Sequence, residues 1–167
     1  MLKRITQVEP WVVQGQMELY RESMAQLARH FESPQAMERA YEDFLKEFVT
    51  HSDRMVLVEE IDGAWVSGLR CVESAPGVWY LEALETAPQA RGQGRAKQLL
   101  LHTQQLLTQQ GAQELFSLIG PENTASIATH VACGFAATQR EPINCWGEEH
   151  PGDILYAWQP EGAKPCT

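Results

Sequence analysis

Three adjoining segments constrain this chain more than any others. Residues 78–86 (VWYLEALET) read as a strand, residues 94–110 carry the period of an amphipathic helix, and residues 113–119 (QELFSLI) read as a buried strand. Strand, helix and strand in that order close as a right-handed crossover, so the two strands should run parallel. The helix sets Ala96, Leu99, Leu100, Thr103, Leu106 and Leu107 on one face, and Gly111 follows as a natural C′ residue. It opens on a glycine-rich run, Arg91-Gly92-Gln93-Gly94-Arg95-Ala96.

Prolines punctuate the rest. All nine (Pro10, Pro34, Pro76, Pro88, Pro121, Pro142, Pro151, Pro160, Pro165) fall between periodic segments. Residues 2–9 read as a first strand. Residues 14–31 read as a helix with Met17, Tyr20, Met24, Leu27 and Phe31 on its apolar face. Ser33-Pro34 supplies an N-cap and a first-turn proline for a second helix bearing Met37, Tyr41, Phe44, Leu45 and Phe48. Strands at 54–61 and 64–73 flank Asp62-Gly63, a two-residue hairpin signal, and Ala75-Pro76-Gly77 turns the chain into 78–86. Asn123 caps a short helix that stops at Gly134-Phe135, and two strands follow near 136–141 and 153–159. The order β-α-α-β-β-β-α-β-α-β-β describes an α+β chain with a mixed, mainly antiparallel central sheet flanked by helices. One domain is expected over residues 1–160, with a frayed tail at 161–167.

Composition narrows the function. A chain of 167 residues can bury about two thirds of its unfolded surface, so no staple is required. With 44% apolar and 21% charged residues it is neither disordered nor collagen-like. The net charge of −9 repels a phosphate backbone, which argues against broad nucleic-acid binding and favours a cationic small molecule or basic peptide. The start, MLKRITQVEPW, lacks the apolar core of a signal peptide, and no run is long enough to span a membrane. Cys71, Cys133, Cys145 and Cys166 form no CxxC and read as thiols in a reducing cytoplasm.

The glycine-rich run can carry chemistry. Amides at a helix N-terminus are unpaired and sit at the positive end of the helix dipole. Glycines let a ligand approach the main chain closely. Together they suit a pyrophosphate, and two flanking arginines add charge. A Walker loop is excluded, because no glycine here is followed by Lys and Ser or Thr at the required spacing. The dinucleotide fingerprint fails because Lys97 stands where its third glycine belongs. On its own the hexapeptide is equally compatible with a plain tight turn.

Its neighbours add specificity. Leu84-x-Thr86-x-Pro88-x-x-Arg91-Gly92-x-Gly94-x-Ala96, then Asn123-x-x-Ser126-Ile127, then Gly134-Phe135, resembles the GNAT superfamily of N-acetyltransferases. Arg91 to Ala96 match that family's [QR]-x-x-G-x-[GA] signature without a gap. The resemblance covers roughly residues 54–158. It implies acetyl-CoA as co-substrate, with no metal. The amides of Arg91, Gly92, Gln93, Gly94, Arg95 and Ala96 would hold the pyrophosphate. Main-chain groups of Leu84, Glu85 and Thr86 would pair with the pantetheine arm like an added strand and polarise the thioester carbonyl. Asn123 would bond the same arm, assisted by Ser126. Asn123 also serves as an ordinary N-cap, and both roles are compatible.

The chain departs from the family at one position. Four residues before Gly134-Phe135, many members carry a Tyr that protonates the leaving thiolate; here it is His130. Imidazole is able to do this job, and is equally at home as an inward packing residue beside Val131. For the base that deprotonates the amine, Glu82 and Glu85 stand on the strand beside the thioester, and Glu82 is preferred. Alternation sets them on opposite faces unless the strand bulges there, as it often does in this family. Trp146, Glu148 and Glu149 would suit a cationic acceptor with an apolar stem. His130, Cys133, Cys145 and His150 have no diagnostic zinc spacing, and the pair Ser126 and His130 lacks an acid for a hydrolytic triad.

The resemblance thus implies transfer of an acetyl group from acetyl-CoA to a primary amine, by direct attack in a ternary complex. A small or cationic acceptor, and a monomer or homodimer with neither nucleic acid nor membrane as partner, complete the expectation. Two competing readings are a non-catalytic acyl-CoA sensor or scaffold, favoured by the missing Tyr, and an enzyme acting on protein lysines or N-termini.

Overall fold

In the computed structural model, which describes residues 1–162, seven strands form one sheet. They are β1 (Leu2–Ile5), β2 (Arg54–Ile61), β3 (Ala64–Ala75), β4 (Val78–Thr86), β5 (Glu114–Ile119), β6 (Ala136–Ala137) and β7 (Ile154–Trp158). Their order across the sheet is β1-β2-β3-β4-β5-β7-β6. β4 and β5 are parallel, as the crossover requires, and every other neighbouring pair is antiparallel. Five α-helices are α1 (Pro10–Leu19), α2 (Arg21–Leu27), α3 (Pro34–Thr50), α4 (Arg95–Gln109) and α5 (Thr124–Ala132). Of the expected frayed tail at 161–167, residues 163–167 lie outside the described residues, Cys166 among them.

Helices cover both sheet faces because the central strands are apolar on both. Along β2, Met55 and Leu57 join the core under α4, with Leu69, Leu81, Leu99, Leu100, Leu107 and Leu115. Val56 and Val58 point the other way, to Val12, Leu19, Met24, Met37, Leu45 and Phe48 of the N-terminal helices. Each fully buried Leu contributes about 1.5–3 kcal/mol. Gly68 lets α1 approach β3 closely: a Cβ there would stand 2.6 Å from Leu19 Cδ2.

Strong local signals produced the expected elements. Asp62 (φ 50°) and Gly63 (φ 79°) are both left-handed, as a two-residue hairpin turn of this kind requires. The Ser33 hydroxyl accepts from the Ala36 amide at 3.1 Å, capping α3 behind Pro34.

Three expectations need correction. The helix expected over 14–31 starts at Pro10 and divides at Tyr20 into α1 and α2, followed by a 3₁₀ turn (Ala28–His30). Tyr20 leaves helical geometry (φ −95°, ψ 24°), and its buried hydroxyl donates to the Ala83 carbonyl at 2.8 Å. Past this division the period no longer matches the core, so Leu27 and Phe31 are 47% and 37% exposed. The first strand ends at Ile5 rather than residue 9, because the chain turns into the proline-started α1. The strand expected over 136–141 keeps only Ala136–Ala137: the Arg140 amide folds back onto the Thr138 hydroxyl at 3.2 Å, ahead of Pro142.

Candidate active site

β4 and β5 pair only at Val78↔Glu114, Trp79↔Leu115 and Tyr80↔Phe116. Beyond Tyr80 they part. β5 continues along β7 as far as Ile119↔Ile154. β4 continues along β3, where Arg70 faces Glu82 and Gly68 faces Glu85. Two residues of β3 thus span three of β4, which is a bulge. Its backbone mark is Ala83, at φ 55°. The last tie across the gap is the Ser117 hydroxyl, which donates to the Leu81 carbonyl at 3.2 Å.

The bulge is strained. A non-glycine residue in the left-handed region costs about 1–2 kcal/mol, against roughly 0.5–1 kcal/mol for glycine's greater unfolded-state freedom. Ala83→Gly is therefore expected to raise the melting temperature by about 1–2 °C, measured by calorimetry. A fall would show that the Ala83 methyl contact outweighs the strain.

The gap is a cavity of about 250 Å³, lined by Tyr80 to Leu84, Ser117 to Gly120, Asn123, Ser126 and His130. A second cleft, of about 420 Å³, adjoins it through Leu84, Asn123 and Ser126, which line both. Leu84, Glu85, Thr86, Arg91, Gly92, Gly94, Arg95, Ala96, Asn123 and Ser126 all face the second cleft. The structure therefore brings the expected cofactor residues together, except Gln93, whose side chain braces the loop by donating to the Gln89 carbonyl at 3.2 Å.

The floor of that cleft is the start of α4. Gly92 (φ 71°) and Gly94 (φ 74°) are left-handed, and Gly94 is the N-cap. The helix's first bond runs from the Gln98 amide to the Gly94 carbonyl at 3.0 Å. The amides of Arg95, Ala96 and Lys97 precede it and point out of the helix end. Lys97 joins Arg91 and Arg95 as a third basic residue of the cleft. An anion with several oxygens fits this donor set. The Arg91 guanidinium itself donates to both Glu22 oxygens (3.2 and 2.7 Å) and to the Thr86 carbonyl (3.2 Å). This ion pair holds the Glu22 carboxyl below its usual range and leaves the cradle's first arginine tied to α2.

The two carboxylates share a face, contrary to simple alternation. Across from them Gly68 and Arg70 are two residues apart on β3, hence on one side, and the extra residue at Ala83 keeps Glu82 and Glu85 there too. Arg70 Nε donates to Glu82 at 2.9 Å while its guanidinium lies 5.0 Å from the Phe44 ring centre. The Ser23 hydroxyl donates to Glu85 at 2.8 Å. Tyr20, Ser23 and Arg70 were not singled out from the sequence. They come from the α1–α2 junction, α2 and β3, and no local pattern announces their place in the site.

His130 is 1% exposed. Its Nδ1 lies 2.8 Å from the Ser126 carbonyl, which can only accept, so Nδ1 carries the proton. Nε2 is buried without a partner among the described residues. The ring stands edge-on to Phe135, 4.9 Å between centres. Burial lowers the imidazole pKa, partly opposed by the Ser126 carbonyl. The Ser126 hydroxyl meets the protonated nitrogen at 3.4 Å, so no base activates it.

The loop after β6 is organised otherwise than expected. The Arg54 guanidinium already lies over the Trp146 ring at 5.0 Å. Glu148 is exposed and accepts from Asn144 Nδ2 at 2.8 Å, while Asn144 Oδ1 accepts from the Trp146 and Glu148 amides. Glu149 is held in a bridge to Ile143. Trp146 remains 46% exposed, and Arg54 is the cation already on its ring. Burial pushes the Cys145 thiol up to about 12 and raises Cys133 as well, which leaves both poor nucleophiles. Among the described residues no three His, Cys, Asp or Glu side chains gather to hold a metal. No helix of the described residues is long and apolar enough to cross a membrane.

A mixed sheet that parts above an anion cradle at a helix start defines the N-acetyltransferase class of fold. The chain belongs to the acetyltransferase (GNAT) family, whose model matches residues 18–135. It is similar to the aminoglycoside N(6')-acetyltransferases type 1 of Salmonella typhimurium (41% identical over 68 residues) and Serratia marcescens (44% over 68 residues). The match covers 41% of this chain and 46% of each relative, so the chain spans about half the length of the curated relatives it matches. Among solved structures it is similar in fold to the PaiA N-acetyltransferase of Thermoplasma acidophilum in complex with coenzyme A. That likeness has a TM-score of 0.71 at 15% identity and covers 95% of this chain and 99% of the other. The ribosomal-protein-S18-alanine N-acetyltransferase of Escherichia coli is similar as well (TM-score 0.64, 18% identity, 95% and 94% covered).

Proposed function

We propose that residues 1–160 form one domain that transfers an acetyl group from acetyl-CoA to a primary amine of a small or cationic acceptor, by direct attack in a ternary complex. One observation carries the reading: the gap between β4 and β5 adjoins the cradle at the start of α4, with Leu84, Asn123 and Ser126 lining both. The exposed amides there, with Arg95 and Lys97, would hold the pyrophosphate. Leu84, Glu85 and Thr86 would offer main-chain groups to the pantetheine arm, with Asn123 and Ser126 on its other side. Bound there, acetyl-CoA would supply an activated acyl carbon, whose carbonyl the β4 amides would polarise.

Glu82 lines the gap and would take the ammonium proton, leaving a neutral amine to attack. Glu85, on the same face and bonded by Ser23 rather than by a cation among the described residues, is the alternative. The acceptor's class is supported by the net charge of −9 and by the aminoglycoside-modifying relatives.

The reading is tested by titrating acetyl-CoA into the protein and then following coenzyme A release with a panel of amines, aminoglycosides included. Phosphate-sensitive binding with acceptor-dependent release is expected. Binding without release from any amine would establish the sensor or scaffold instead.

A further inference from the structure

We propose that His130 is a proton relay in this transfer: Nε2 takes the proton that the attacking nitrogen gives up as the N–C bond forms, and delivers it to the sulfur as the C–S bond breaks. The inference rests on the acetyl-transfer reading and deepens it. Two protons must leave a protonated amine. Glu82 or Glu85 accounts for the first, before attack. The second is acidic only once the nitrogen has bonded to carbon, and the sulfur leaves needing a proton. One group that accepts and then donates closes this account with no outside acid or base.

The geometry supplies such a group. The Ser126 carbonyl fixes the proton on Nδ1 at 2.8 Å, so Nε2 offers a lone pair. Phe135 sets the ring edge-on, and His130 lines the gap between the parted strands. A buried nitrogen without a partner among the described residues costs free energy, and because His130 lines the gap, a ligand group bound there would supply the missing partner. An imidazole in this tautomer has no proton to give a thiolate at rest. Burial, which disfavours the imidazolium, keeps it so. The proton it donates must therefore come from the reaction. The other titratable side chains lining this gap are Tyr80 and Glu82. Burial holds the Tyr80 hydroxyl protonated, and Glu82 is tied to Arg70. A hydroxyl pushed up in this way is a weaker acid than an imidazolium, so His130 is the better donor to the sulfur.

The test is nitrogen NMR of the imidazole in the full chain labelled with ¹⁵N-histidine, with His130→Gln identifying the resonance. In the free protein Nε2 should be unprotonated through the neutral range. Coenzyme A should shift it, because the thiol S–H donates to Nε2; desulfo-coenzyme A, with no thiol, should not. In turnover with an amine found by the panel, His130→Phe should lose about a hundredfold or more, with acetyl-CoA affinity held within about threefold. A protonated Nε2 at rest, or the same response to both cofactors, overturns the relay. So does a His130→Phe variant that keeps its turnover. Failure of coenzyme A to bind at all, read separately by titration heat, removes the acetyl-transfer reading and the relay with it.

Discussion

Gly94→Glu is expected to abolish acetyl-CoA binding, with a loss of at least about a hundredfold in affinity. Gly94 sits at φ 74° as the N-cap of α4, and beyond its two chain neighbours no heavy atom of the described residues lies within 4 Å of where its Cβ would be. The side chain therefore has room, and the fold should survive. Strain at that φ costs about 1–2 kcal/mol, so melting should fall by only a few degrees. Binding suffers far more. A carboxylate at the positive end of the helix occupies the place of an anion and repels phosphate. Gly94→Ala separates the two effects, because it keeps the strain and omits the charge. Isothermal titration of both variants decides the matter. If Gly94→Glu binds as the unmodified protein does, the loop is a turn and nothing more.

Glu82→Gln should cut turnover about a hundredfold while leaving acetyl-CoA affinity unchanged. The amide keeps an acceptor for Arg70 Nε but cannot take a proton. Its Arg70 contact is partly buried and charge-assisted, so a stability loss of about 1–3 kcal/mol should accompany the substitution. Steady-state kinetics at saturating cofactor, checked against the fraction folded, separate the two. Glu85→Gln is the comparison. Should it lose turnover while Glu82→Gln keeps it, the base is the carboxylate held by Ser23, and Glu82 serves to hold Arg70 in place.

The pH dependence has a definite sign. His130 is competent when neutral, and burial places its pKa below that of ordinary imidazole. Turnover should therefore rise with pH through that lowered pKa. Stability follows the same direction. As pH falls below about 6.5 the unfolded chain protonates this histidine before the folded one does, so the His130 contribution is lost on the acid side.

Much of the scaffold is readable in one dimension. The strand at 54–61, the Asp62-Gly63 turn, the Ser33-Pro34 start of α3 and the glycine-started α4 all depend on contacts a few residues long. The cofactor cradle is local in the same sense, since a left-handed Gly94 and the amides after it make one continuous helix start. Harder to read was the N-terminal helix, whose period ran through Tyr20. Its division depends on a hydroxyl reaching Ala83, 63 residues further along the chain.

The acceptor side depends on such distant contacts throughout. Strand parity separated Glu82 from Glu85, and a bulge at Ala83, registered against β3, brought them to one face. Trp146 reads as a cation platform from its type alone, but the cation that lies over it is Arg54 of β2, about 90 residues earlier in the chain. Sequence alone determined the crossover, the cradle and the identity of the chemically able side chains, because short-range sterics and helix-end electrostatics act between near neighbours. Only the tertiary structure decided where β4 parts from β5, which carboxylate meets Arg70, and which nitrogen of His130 holds the proton. Those outcomes depend on register, burial and hydrogen-bond partners supplied by residues far apart in the chain.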